Sequence, residues 1–181
     1  AFALLLASAL LASAPGCGRP LVMADLPTMS FESRRSPIEA DIEACIPAEL
    51  RRRMWDVQGH GRRAALGERT ALNFERLVKA AFRGVTTTVL ADGAGAHSGP
   101  WITARIDMVN REFDSLSEPE QVTVITMTFE ILDEENQPLW QETTVGEVIA
   151  ESAWPFRRRS ATARDMGEAL RKALELGYEA I

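Results

Sequence analysis

The sequence predicts an α+β domain in which an antiparallel sheet of about four strands carries two helices packed on one face. Three observations predict it. Alternating apolar and polar residues indicate strands at 101–109 and 121–132, the second followed by a hairpin partner at 139–148. Apolar residues at helical spacing indicate a helix at 66–83, and a second from about Thr162 to the end of the chain. The order of segments is strand, helix, strand, strand, hairpin, helix.

The first strand of this order is ambiguous from its sequence. Apolar residues occupy every second position of 38–46, which is typical of a strand. Ser36, Pro37 and Glu39 instead fit the first turn of a helix. The strand is favoured because the sheet needs an opening member and the next segments supply helix. A β-branched strand at 85–90 follows the first long helix.

The last helix has a start signal and an apolar stripe. Thr162 and Asp165 resemble a capping box at its amino end. The stripe is predicted to pack across the sheet in preference to forming a surface for a partner helix, and it comprises Met166, Leu170, Ala173, Leu174, Gly177, Tyr178 and Ile181.

Length and charge limit the classes of function. A chain of 181 residues has room for one domain and a short extra segment. Its net charge of -6 argues against general nucleic-acid binding.

The amino-terminal segment has the features of a signal peptide. Phe2–Leu11 is uninterrupted apolar and small residues, too short to span a membrane as a helix. Cleavage after Ala14 would leave Pro15, which lacks an N–H, directly after the broken bond. Cleavage before Cys17 is favoured, and secretion as a soluble protein is the alternative. The predicted divisions are therefore a lipoprotein-type signal peptide at 1–16, an acylated cysteine and tether at 17–37, and one periplasmic α+β domain at 38–181.

Cys17 is accordingly the predicted lipidation site, carrying diacylglyceryl and N-acyl chains such as palmitate. Several acyl chains give lasting attachment where one is marginal. The segment before Cys17 resembles a bacterial lipoprotein processing site. In a two-membrane bacterium this resemblance implies an outer-membrane anchor facing the periplasm, because Gly18 lacks the aspartate associated with inner-membrane retention. Cys45 is then left as a buried small hydrophobe, whereas a Cys17–Cys45 disulfide would exclude lipidation.

Clustered arginines and three tryptophans are candidates for a binding patch. Solvated surface arginines are the ordinary interpretation; the sharper hypothesis is a patch for an anionic partner, with Trp101, Trp140 and Trp154 at the rim of a lipid or glycolipid site. The patch residues are Arg51, Arg52, Arg53, Arg157, Arg158 and Arg159.

No catalytic residues, cofactor or metal site are predicted. The glycine-rich stretch 91–100 lacks the lysine of a P-loop and the spacing of a dinucleotide fingerprint. Ser98, His97 and Asp92 are close in sequence, but no nucleophile elbow accompanies them. His97 and His60 are isolated histidines without metal-ligand spacing.

Three stretches carry a family resemblance: "LGERTALNFERLVKAAFRGVTTT", "ILDEENQPLWQETTVGE" and the terminal "GYEAI". They resemble a group of small bacterial envelope lipoproteins, and the layout is more distantly similar to accessory lipoproteins of lipid and lipopolysaccharide export machines. No catalytic residues accompany the resemblance.

The expected function is that of a membrane-anchored, non-enzymatic module that binds or scaffolds a protein of the cell envelope. A lipid or glycolipid carrier, a soluble periplasmic binding protein and a hydrolase are the alternatives. The expected partners are the lipid bilayer, through acylated Cys17, and an envelope protein.

Overall fold

Eight strands and three helices make up the part of the chain that the computed structural model describes, which is residues 21–23, 26–32, 36–52, 54–57, 62–90, 97–113, 120–151 and 159–181. The helices are α1 (Ala48–Arg52), α2 (Gly67–Ala81) and α3 (Arg159–Ala180). The strands are β1 (Leu21–Met23), β2 (Ile38–Pro47), β3 (Met54–Val57), β4 (Arg62–Ala65), β5 (Phe82–Leu90), β6 (Trp101–Phe113), β7 (Glu120–Leu132) and β8 (Pro138–Glu151).

The main sheet has five strands in the order β5-β2-β6-β7-β8, and it is mixed. β2 runs parallel to β5 and to β6, whereas β7 pairs antiparallel with both β6 and β8. The predicted antiparallel sheet of about four strands is therefore wrong. The physical reason is the crossover through α2, because a strand that is followed by a helix returns to the sheet in the same direction.

A second, smaller sheet has the order β1-β4-β3. β1 pairs in parallel with β4, and β3 pairs antiparallel to β4. β1 lies within the segment 17–37 that was assigned to the tether, and α1, β3 and β4 have no counterpart in the sequence-based prediction. Four-residue strands and a five-residue helix are too short to show a period.

Both long helices cover the face of the main sheet that we call the inner face. Phe129 of β7 lies on this face, where its ring centroid is 6.3 Å from that of Phe74 in α2. The same ring lies against Gly177 of α3. The predicted stripe of α3 is confirmed as core, since Met166 and Leu170 are fully buried in it.

Residues 26–32, within the segment assigned to the tether, pack against α2. Leu26 and Met29 are buried. The Asn73 side chain accepts a hydrogen bond from the Met29 N–H at 2.9 Å and donates one to the Pro27 carbonyl at 3.0 Å.

The capping box proposed for α3 is wrong. The helix begins at Arg159, so Thr162 lies inside it, and both Thr162 and Asp165 are buried. The Asp165 carboxylate lies 3.6 Å from the Arg111 guanidinium, so its role is in a buried ion pair between α3 and β6. Asp165 thus pairs with Arg111 on a distant strand, where the sequence predicted a local contact with Thr162.

Candidate functional site

The candidate site lies on the outer face of the main sheet, opposite the helices. Ile42, Ala44 and Ile46 of β2 are buried on the inner face, so the alternation of the strand places Glu43 and Cys45 on the outer face.

The chain that leads into β6 covers this part of the outer face. Trp101 begins β6 beside Glu43, and the Glu43 N–H donates a hydrogen bond of 3.1 Å to the Pro100 carbonyl. The Trp101 indole N–H donates to the Asp133 carbonyl at 3.1 Å, which holds the ring in place. His97 is thereby fixed above β2.

Glu43, Cys45 and His97 converge on one point, and we call them the Cys45 cluster. The Nδ1 atom of His97 is 2.9 Å from the Oε2 atom of Glu43 and 3.7 Å from the Sγ atom of Cys45. The imidazole stacks on Trp101 with ring centroids 4.4 Å apart and an interplanar angle of 22°. The side chain of His97 is 2% exposed.

Burial and hydrogen bonding set the charges of the cluster. Cys45 is a free, fully buried cysteine. Removal from water, and then the negative charge of Glu43, raise the pKa of its thiol to about 12. The pKa of Glu43 is lowered, first by a hydrogen bond with Thr88 and then by the one with His97. At neutral pH the cluster therefore contains a thiol beside a carboxylate.

This arrangement does not resemble a nucleophilic triad. In a triad the acid and the nucleophile contact opposite nitrogens of the imidazole, so that one nitrogen is oriented while the other removes a proton. Here Glu43 and Cys45 both approach Nδ1. The geometry instead brings three ligand atoms within 4.8 Å of one another, and such an arrangement can hold a metal ion.

Sequence reasoning missed this cluster because 52 residues separate Cys45 from His97. No spacing motif spans such a distance along the chain. The available signal was the alternation of β2, which places Glu43 and Cys45 on one face; the sequence does not indicate that His97 covers them.

Of the six arginines of the predicted patch, the structure describes the side chain of Arg51 alone. Arg51 is exposed on α1, and the backbones of Arg52 and Arg159 lie in α1 and α3. The anionic-partner patch thus stays a prediction. The other members of the patch lie outside the described residues, as does the lipidation site, and these residues are Arg53, Arg157, Arg158 and Cys17.

The remaining sequence candidates that the structure describes lie in different surroundings. Trp101 lies in the Cys45 cluster region, whereas Trp140 packs against the hydrophobic core. Ser98 is exposed beside the buried His97. Asp92 and Trp154 lie outside the described residues.

A second surface feature lies at the other end of the sheet. β8 is the last strand in the order, and its outer face exposes three large apolar side chains. Leu139 is 62% exposed, Val145 48% and Ile149 58%. We call these three residues and the outer edge of the strand the β8 surface.

A groove of about 690 Å³ lies between the segment around Phe31 and the end of α3. Phe31 and Tyr178 contact each other there, with ring centroids 5.3 Å apart. Three carboxylate side chains line the groove, those of Glu32, Glu175 and Glu179. This lining disfavours an anionic headgroup.

Comparisons with known proteins establish the fold. Neither a protein-family model nor a curated protein matches the chain. Among solved structures, a Xanthomonas campestris protein described by the family model DUF330 matches with a TM-score of 0.53 and 11% identity, covering 87% of this chain and 91% of that one. At this identity the similarity shows a shared fold.

Two further structures are similar at lower scores. A candidate lipoprotein from Caulobacter crescentus has a TM-score of 0.39 at 11% identity, covering 77% of this chain and 82% of that one. A PelC dodecamer from Paraburkholderia phytofirmans has a TM-score of 0.34 at 11% identity, covering 80% and 93%. Both scores are too low to establish a common fold.

Within the described residues, no helix combines the length and the hydropathy that a membrane span requires.

Proposed function

We propose that this protein is a lipid-anchored lipoprotein of the bacterial cell envelope that binds another envelope protein and catalyses no reaction. The observation that carries the binding role is the β8 surface. Large exposed apolar side chains on an edge strand favour association with another protein. Edge strands also commonly pair with a strand from another chain.

The anchor is supported by the sequence that precedes the described residues. The apolar run Phe2–Leu11 and the small residue Gly16 directly before Cys17 fit a lipoprotein processing site. Acyl chains on Cys17 would hold the domain at the periplasmic side of the outer membrane.

The charge of β8 favours a partner that differs from this chain. The strand contains Glu142, Glu147 and Glu151 and no basic residue. Two copies paired through β8 would bring like charges together, which destabilises a strand pair. A partner strand that carries lysine or arginine would complement these charges, and this is the occupant that we propose.

A non-enzymatic role is supported by the state of Cys45. A nucleophilic cysteine needs an accessible thiolate, whereas the pKa of this buried thiol is raised to about 12. The alternative of a carrier for an anionic lipid is disfavoured by the carboxylates Glu32, Glu175 and Glu179 in the described groove.

The binding role is tested by site-specific photocrosslinking in cells. A photoreactive amino acid at Val145 or Ile149 should give one discrete adduct in the envelope. Val89 is the matched control, since it is 46% exposed on β5 at the opposite end of the sheet. The crosslinked protein is then purified, and its complex with this chain is reconstituted.

The two results differ clearly. Binding of the purified partner that is lost in Val145→Glu and retained in Val89→Glu would support the proposal. Adducts with a second copy of this chain, or equal adducts at all three positions, would contradict it.

A further inference from the structure

We propose that Glu43, Cys45 and His97 form a binding site for Zn²⁺, with Oε2, Sγ and Nδ1 as the three protein ligands. This inference concerns the outer face at β2 and β6, away from the β8 surface at the end of the sheet, and does not depend on the proposed function.

The distances between the ligand atoms fit tetrahedral zinc. Bonds of about 2.0–2.1 Å to nitrogen and oxygen and about 2.3 Å to sulfur place tetrahedral N and O atoms about 3.3 Å apart, and N and S atoms about 3.6 Å apart. In the structure the Nδ1–Oε2 distance is 2.9 Å and the Nδ1–Sγ distance is 3.7 Å. These two distances differ from the tetrahedral values by a few tenths of an ångström, and the third pair, Oε2 and Sγ, lies within 4.8 Å.

The donor set selects the class of metal. A thiolate, an imidazole and one carboxylate together suit Zn²⁺, whereas Mg²⁺ and Ca²⁺ prefer oxygen ligands throughout. Three protein ligands leave a fourth tetrahedral position, which a water molecule can fill.

Contacts with the surrounding residues orient two of the three ligands. A hydrogen bond with Thr88 holds the Glu43 carboxylate, and stacking on Trp101 holds the imidazole plane. The Nε2 atom of His97 is buried and has no hydrogen-bond partner among the described residues. Nδ1 is thus the ring nitrogen that contacts Glu43 and Cys45.

Metal binding changes which atoms of the cluster carry protons. Without the metal, the Glu43 carboxylate is placed to accept hydrogen bonds from Nδ1–H of His97 and from the Cys45 thiol. Zn²⁺ replaces both protons and bonds to S, N and O. An imidazole bound to Zn²⁺ through Nδ1 carries its proton on Nε2, and the thiol proton passes to solvent as Sγ bonds to the metal.

The test uses the full chain carrying Cys17→Ser, so that Cys45 is its only thiol. Zn²⁺ is titrated in competition with a chromogenic chelator, and Co²⁺ is titrated separately. We expect one Zn²⁺ per chain with a dissociation constant below about 1 μM, and a sulfur-to-cobalt charge-transfer band in the near ultraviolet.

Single replacements identify the ligands. Cys45→Ser and His97→Gln should each weaken Zn²⁺ binding by at least about 100-fold, and Glu43→Gln should weaken it in the same direction. Glu39→Gln on the same strand should leave it unchanged, because the Glu39 carboxylate pairs with Arg83 and does not belong to the cluster.

The spectrum keeps the test decisive even where a variant fails to fold. A cobalt complex without the charge-transfer band in the Cys17→Ser chain would overturn the proposal. Absence of Zn²⁺ binding, or binding equally retained by Cys45→Ser, would overturn it as well.

Discussion

The two ends of the sheet's outer face differ in what lies over them. At the β2–β6 end, the segment that begins at His97 covers Glu43 and Cys45 and buries a polar cluster. At the β8 end, Val145 and Ile149 project apolar side chains towards solvent. Strand alternation assigns side chains to a face, but a segment distant in sequence decides whether that face is covered. The usual association of apolar with buried and polar with exposed is consequently reversed on this face.

The largest expected effect on the free energy of unfolding is that of replacing Trp101, at the covered end of the outer face. Trp101→Ala removes a buried indole together with its stacking on His97 and its hydrogen bond to Asp133, so it should lower the free energy of unfolding by about 3–5 kcal/mol. Leu139→Ala at the exposed end should change it by less than about 0.5 kcal/mol. Denaturant unfolding of both variants measures the difference in the free energy of unfolding. Equal losses in the two variants would contradict the contrast between the two ends of the outer face.

A smaller effect is expected from the inner side of β8. A Cβ atom at Gly146 would lie 1.8 Å from the Ala169 carbonyl oxygen, so α3 and β8 must move apart in Gly146→Ala. The expected loss is about 1–3 kcal/mol. Gly99→Ala is the control, because its added Cβ meets no atom within 4 Å. A Gly146→Ala chain as stable as the Gly99→Ala chain would show that the inner packing of β8 is looser than described.

The smallest effect is the pH dependence from the helix surfaces. Hydrogen bonds from Arg171 and Lys79 lower the pKa of Glu168 and of Glu75, respectively, below the ordinary value of 4.5. Each pair therefore stabilises the fold above this ordinary value, and its contribution is lost as pH falls through the lowered pKa. Because the pairs lie near solvent, each is worth less than about 0.5 kcal/mol.

Unfolding experiments at neutral and acidic pH test this last prediction. In Lys79→Met and Arg171→Met, the decrease in stability on acidification should be slightly smaller than in the unmodified chain. A larger decrease in either variant would show that the sign is wrong.

Local periodicity was sufficient to locate the long elements and insufficient to orient them. The alternation of 38–46 and the helical stripe of 66–83 correspond to β2 and α2. The alternation of apolar and polar residues does not depend on the direction in which a strand runs. A prediction based on period alone therefore could not show that β2 pairs in parallel with β5. The strand–helix–strand order carried that information through the crossover rule.

Contacts between residues distant in sequence, including those of the candidate site, were harder to predict than the helices and strands. Asp165 shows one reason, since a residue with a strong local signal as a cap has its partner Arg111 on a distant strand. His97 shows another, because its contacts with Glu43 and Cys45 depend on how the segment before β6 crosses β2. Neither contact follows from spacing along the chain.

The central claim is that this domain is held at a membrane by lipid on Cys17. The most direct test is the intact mass of the protein recovered from the bacterial envelope. A chain that begins at Cys17, is heavier by a diacylglyceryl group and retains the Cys45 thiol is the predicted result. A chain that begins at Pro15, carries no lipid and lacks two hydrogens because Cys17 and Cys45 are joined would contradict it.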